Sequence, residues 1–138
     1  MARHRKGGSV VIGNMLLSAN LTERILRAAI EVHRELGPGL LENTYRCCLV
    51  HQLRLEGLTV QSEVPIPITY KGLALDASYR ADLIVENTAL IELKATERLL
   101  PIHEVQTLTY LKLAGLRVGL LMNFNVTSLK HGIRRLIR

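Results

Sequence analysis

The 138-residue chain has no tryptophan, one phenylalanine and only two cysteines. Its core must therefore be mostly Leu, Ile and Val, and at 48% hydrophobic composition it holds enough of them to bury one core. The length leaves no room for a second domain. Cys47 and Cys48 are adjacent on a predicted helix, where neighbouring side chains diverge by about 100° and cannot bond to each other. Two such thiols make neither a disulfide framework nor a zinc site, and they suit a reduced, cytoplasmic protein. No apolar run reaches the length of a transmembrane helix. Val10 to Ala19 follows a basic start in the manner of a signal peptide, but Gly13 and Asn14 interrupt it, so a loose N-terminal extension is expected. There is no Gly-rich phosphate loop, no Ser or Cys nucleophile with a base nearby, and no interleaving of aromatic with basic residues. Sequence-specific readout by an inserted helix is thus unsupported. His33, His51, His103 and His131 lack metal-ligand spacing and are read as surface or packing residues.

The net charge of +6 is uneven along the chain. Residues 1–20 carry Arg3, Arg5 and Lys6 without an acid, and residues 126–138 carry Lys130, Arg134, Arg135 and Arg138 without one. Of 18 basic residues those seven lie at the ends, which leaves 11 against 12 acids between them. The body of the chain is near neutral, and the ends are either solvated tails or contacts to phosphates. Three segments follow: a basic, loosely ordered extension over 1–20, a domain over 21–125 and a basic C-terminal segment over 126–138.

Punctuation gives the layout. Asn20, with Glu23 three residues on, is a plausible N-cap, and apolar residues then recur at helical spacing from Leu21 to Leu36 until Gly37-Pro38-Gly39 stops the run. A second helix is expected from about Leu41 to Glu56, closed by Gly57. Val60 to Tyr70 alternates as a strand, and Pro65 and Pro67 argue for an edge or partly unpaired position. Lys71-Gly72 turns it into a long strand through Asp82, and Pro101 opens a helix that ends at Gly115. Arg117 to Phe124 is a final buried strand.

The densest signal is Tyr79 to Lys94. Ala81 to Val85 and Ala89 to Ala95 alternate as strands around the polar turn Glu86-Asn87-Thr88. If Val85 pairs with Ala89, Asp82 falls opposite Glu92 on one face, close enough to hold a cation, and Lys94 shares that face. Leu83, Val85, Ile91 and Leu93 then point the other way. Charges on a surface hairpin would be unremarkable, but the flanking runs are too apolar for one, and a strand buried on both faces does not carry acids idly.

Asp82 and Glu92-Leu93-Lys94 resemble the metal-binding aspartate and E-x-K of the PD-(D/E)XK nuclease superfamily, and Gln106-Thr107-Leu108-Thr109-Tyr110, next in order, resembles the Q-x-x-x-Y of its branch that includes recombination exonucleases. Gly39-Leu40-Leu41-Glu42-Asn43-Thr44-Tyr45 resembles the motif that names its GxxExxY family. The resemblance runs over 21 to about 125. It implies a restriction-endonuclease-like α/β sandwich, with a mixed central sheet and helices on both faces. It also implies metal-dependent hydrolysis of phosphodiesters in DNA or RNA. Asp82, Glu92 and the main-chain carbonyl of Leu93 are the expected ligands of Mg²⁺ or Mn²⁺, with Glu42 as a further ligand or water-holder. Beside two carboxylates, Lys94 is expected to orient water and stabilise charge rather than act as a base.

Gln106 and Tyr110, one helical turn apart and opposite an apolar set of Val105, Leu108 and Leu111, are expected to position the ligands or a substrate phosphate. A domain this small offers little surface beyond its core, so a homodimer is one way to grip a duplex. Two other readings stay open: a nucleic-acid-binding module that keeps the fold without turnover, and an interaction or assembly protein.

Overall fold

Residues 2–76 and 79–138 are described by the structure, a computed structural model, with side chains from residue 19 onward. The first helix, α1, runs Ala2–Leu36 and buries Ile25, Ala28, Ala29 and Val32 on one stripe. Asn20, expected as its cap, lies inside it, because no proline in the upstream run forbids the helix from continuing. Gly37, at φ 68°, ends it in the left-handed region that glycine enters without strain. Helix α2 spans Glu42–Leu55, within the expected limits.

Among the described residues seven strands follow: β1 Val60–Pro65, β2 Ile68–Tyr70, β3 Leu73–Leu75, β4 Arg80–Val85, β5 Ala89–Lys94, β6 Val118–Asn123 and β7 Ile133–Ile137. Helix α3, Pro101–Ala114, joins β5 to β6, and a short 3-10 turn at Leu129–Gly132 precedes β7. The long strand expected after Gly72 is broken: β2 and β3 form a separate two-stranded hairpin around Lys71 and Gly72, and β4 starts anew at Arg80. The main sheet has the order β1-β4-β5-β6-β7, with β5 and β6 parallel and the other pairs antiparallel. The single strand expected over residues 60–70 is split as well: β1 stops at Pro65 as an edge strand of the main sheet, and Ile68–Tyr70 belongs to the hairpin, since neither Pro65 nor Pro67 can donate to a ladder.

Both faces are covered. Leu83, Val85, Ile91, Leu93, Leu120 and Met122 pack under α1 and α2, while Ile84 and Leu90 pack under α3 with Tyr110 and Leu111. All six residues of β6 are buried, as expected of a strand between two helical layers. The result is the restriction-endonuclease-like α/β sandwich. The basic C-terminal segment adds the other edge strand, β7, and Arg134 reaches Glu104 of α3 at 3.8 Å. Among the described residues, no helix is long and apolar enough to cross a membrane.

Candidate active site

Val85 pairs with Ala89, as the turn residues require; Ile84 pairs with Leu90 and Leu83 with Ile91, and there the β4–β5 ladder stops. Asp82 and Glu92 occupy the next rung. Their side chains take over from the main chain: the Asp82 amide donates to Glu92 Oε1 at 2.9 Å, and the Leu93 amide donates to Asp82 Oδ2 at 2.7 Å. On its other side Asp82 again meets no regular partner. Ser62 pairs with Leu83 and Val64 with Ala81, and Glu63, skipped between them, has φ 52°. A non-glycine residue in that region is strained, and such strain collects at functional sites. The sheet is thus opened on both sides of Asp82.

The acids there share one field. Glu92 is 6% exposed. Burial, and then the charge of Asp82, push its carboxyl up to about 8. Burial also raises Asp82, against the Leu93 amide, Arg46 and Lys94, which favour its charged form. Glu42 is raised by burial and by Asp82, with Lys94 and Arg46 opposing. Glu42, Asp82, Glu92 and Lys94 therefore act on one another's charge around the open end of the β4–β5 ladder. Carboxylates crowded until one favours its proton suit a hard divalent cation, which would relieve the repulsion. Among the described residues, the second oxygen of Asp82 and of Glu92 accepts no hydrogen bond and is available to one. The acids do not form a ready-made cage, because no three His, Cys, Asp or Glu side chains among the described residues stand close enough together to hold an ion.

Glu42 owes its place to Tyr45. The Tyr45 hydroxyl donates to Gly37 O at 2.6 Å and accepts from the Leu40 amide at 3.1 Å, which fixes the turn that launches α2. Its ring is fully buried, stacked on Phe124 at 4.7 Å, while Glu42 at the head of the helix stays exposed. Two further charged residues border the acids and were not singled out in the sequence. Arg46 bonds Asn43 and lies 3.4 Å from Glu63. Its spacing of four residues from Glu42 is a signal that could have found it; Glu63 had only its register opposite Asp82.

Lys94 lies at the end of β5, where its carbonyl accepts from the Phe124 amide at 2.9 Å. Asn123, buried beside it, fixes the following loop by accepting from the Thr96 amide and donating to the Thr96 carbonyl. Leu93 offers its amide to Asp82, and its side chain is buried.

On α3, Gln106 Nε2 donates to the Tyr110 hydroxyl at 3.2 Å. Burial and the charge of Glu92 push the Tyr110 phenol up, so α3 brings it within the field of the acids. The face of α3 differs from expectation: Thr107, Tyr110 and Leu111 are buried, whereas Val105 and Leu108 are exposed. Apolar residues occur all round this helix, so their spacing alone cannot orient it. His33 is a packing residue, with Nε2 at 2.8 Å from Val126 O.

Comparison with curated proteins and with solved structures gives no match. A family model does match, over residues 19–136, a span that takes in β1, all but the last residue of β7 and every residue of the site. By that match the chain belongs to the PD-(D/E)XK nuclease superfamily.

Proposed function

We propose that the protein is a metal-dependent nuclease that hydrolyses phosphodiester bonds of DNA or RNA, and that within its superfamily it belongs to the GxxExxY branch. The observation that carries this reading is the crosswise locking of Asp82 and Glu92 onto each other's strand, with their second oxygens left over. Mg²⁺ or Mn²⁺, held by Asp82, Glu92 and the Leu93 carbonyl with Glu42 beside them, would supply Lewis acidity toward the phosphate and an acidified water. The protein's own part is orientation and charge. The amides of Asp82 and Leu93 fix two carboxylates before substrate arrives, so little reorganisation remains at the moment of reaction. Lys94 orients the attacking water and offsets developing negative charge. Gln106 and Tyr110, bonded to each other, hold the substrate phosphate against the acids. Unpaired Cys47 and Cys48 suit a cytoplasmic location.

One observation favours the second reading, a nucleic-acid-binding module without turnover: among the described residues the acids form no three-membered cage. A panel of single- and double-stranded DNA and RNA, incubated with Mg²⁺, Mn²⁺ or chelator, separates the two. Cleavage that needs the ion and disappears in Glu92→Gln is the expected result. Binding without cleavage under every ion would leave the module.

A further inference from the structure

The chain has four tyrosines and one phenylalanine. Tyr45, Tyr110 and Phe124 are buried; Tyr70 and Tyr79 are 61% and 49% exposed. Both exposed rings lie between β1 and β4, on the chain that leads into Asp82, and each is followed at once by a cation, Lys71 or Arg80. The Lys71 ammonium lies 5.4 Å from the centroid of the Tyr70 ring at the tip of the β2–β3 hairpin. Tyr79 is three residues before Asp82, about 10 Å along the chain. Its backbone is fixed, because its carbonyl accepts from the amide of buried Ile66 at 2.9 Å. Its ring meets the edge of Tyr110 at 6.3 Å and 61°, and Tyr110 lies within the field of Glu92.

A large apolar ring held half in solvent beside a reactive centre has one obvious use toward nucleic acid, which is to stack on a base. Base–aromatic stacking needs the face of the base, and a paired duplex keeps that face covered by the neighbouring base pair. Charge argues the same way. With 11 basic residues against 12 acids outside the ends, the body of the protein has little excess charge for tracking the two backbones of a duplex. Building on the nuclease reading, we infer that Tyr79, backed edge-on by Tyr110, is a stacking platform for an unpaired base next to the scissile phosphate. The substrate class is therefore single-stranded nucleic acid, or the frayed strand of a duplex, and Tyr70 with Lys71 grips the same strand farther from the site.

The chain has no tryptophan, so Tyr79→Trp puts one indole at the platform. In a Glu92→Gln background with chelator, where nothing is cut, a mixed-sequence single-stranded oligonucleotide of about 12 nucleotides should quench that indole saturably. The blunt duplex of the same sequence should not. In the same background Tyr79→Ala should weaken single-strand binding roughly 5- to 150-fold, the range for loss of one stacked base. Tyr79→Phe should keep it, and Tyr70→Ala should weaken it without touching the centre. A circular dichroism spectrum and melt of each variant separate a lost platform from a lost fold. Equal quenching by duplex and single strand, or unchanged binding in folded Tyr79→Ala, overturns the platform. Because no cleavage enters the measurement, a protein that quenches and binds but never cuts keeps the platform and loses the nuclease reading. A protein that cuts duplex with the indole unquenched does the reverse.

Discussion

Asp82 and Glu92 are tied crosswise and not to each other, since each carboxylate is held through an amide of the opposite strand, at 2.7 Å and 2.9 Å respectively. Asparagine and glutamine keep a carbonyl oxygen that accepts the same bond, and they remove the repulsion between two buried acids. Asp82→Asn and Glu92→Gln should therefore melt at the same temperature as the parent protein or slightly higher, and both should lose metal-dependent cleavage. Melting curves and a cleavage assay check this. Unfolding of both variants would mean that the acids serve the fold.

The raised carboxyl of Glu92 gives a pH dependence with a definite sign. Its proton is held up to about 8 in the folded chain, against an ordinary value of 4.5. The folded state binds the proton more tightly, so the contribution of this group to stability is full below about 4.5 and fades as pH climbs to about 8. The metal-free protein should lose melting temperature across that window. Glu92→Gln should flatten the slope, and Mg²⁺ or Mn²⁺ should stabilise more at the upper end, because the ion binds the ionised form. An identical slope in the glutamine variant would remove Glu92 as its source.

Tyr45 and Glu42 share a motif but not a task. Tyr45→Phe deletes a hydroxyl that both donates to Gly37 O and accepts from Leu40 N. It should cost about 1–2 kcal/mol of stability and slow cleavage by letting the head of α2 drift. Glu42→Gln should slow cleavage with the melting temperature unchanged, because the Glu42 side chain is exposed and, among the described residues, accepts no hydrogen bond and forms no ion pair. Chemical denaturation and single-turnover rates, measured on both variants, separate the two. Equal stability losses would place Glu42 in the fold as well.

The register of the central hairpin was legible in sequence because side-chain alternation and a short polar turn together fix it, and Val85 does meet Ala89. The first two helices were legible through their stops, Gly37 and Gly57, and the second also through its start near Leu41, whereas the first runs on upstream of Asn20, which proves to be interior. What stayed hidden has common causes. The orientation of α3 was lost because Ile102, Val105, Leu108 and Leu113 leave its outer face as apolar as its inner one. Edge strand β7 was masked by Arg134 and Arg135, whose exposed side chains read as a tail although their backbone pairs with β6. Glu63 beside Asp82 is visible only once β1 has a register. The pairs Tyr70-Lys71 and Tyr79-Arg80 do not read as interleaved aromatic and basic residues because seven positions separate them in the chain.

The edge of the sheet and the site should separate in a salt series. Lys130 and Arg135 are exposed near and on β7, with no hydrogen bond or ion pair of their side chains among the described residues, whereas Lys94 shares the field of Asp82 and Glu42. If the basic edge only holds the phosphate backbone, Lys130→Gln with Arg135→Gln should weaken binding, and the loss should shrink as salt is raised. The slope of log affinity against log salt should fall by about 0.7 for each single-strand phosphate contact removed. The rate of bound substrate should survive, because neither residue is near a carboxylate of the site. Lys94→Ala should keep most of the binding and lose about two or more orders of magnitude in single-turnover rate, the scale of one preorganised charge aimed at the transition state. Binding and single-turnover cleavage measured on the same preparations decide between them. Equal rate losses from the edge pair and from Lys94 would mean that the reacting phosphate lies nearer β7 than the crosswise acids imply, and that Lys94 holds the strand rather than the water.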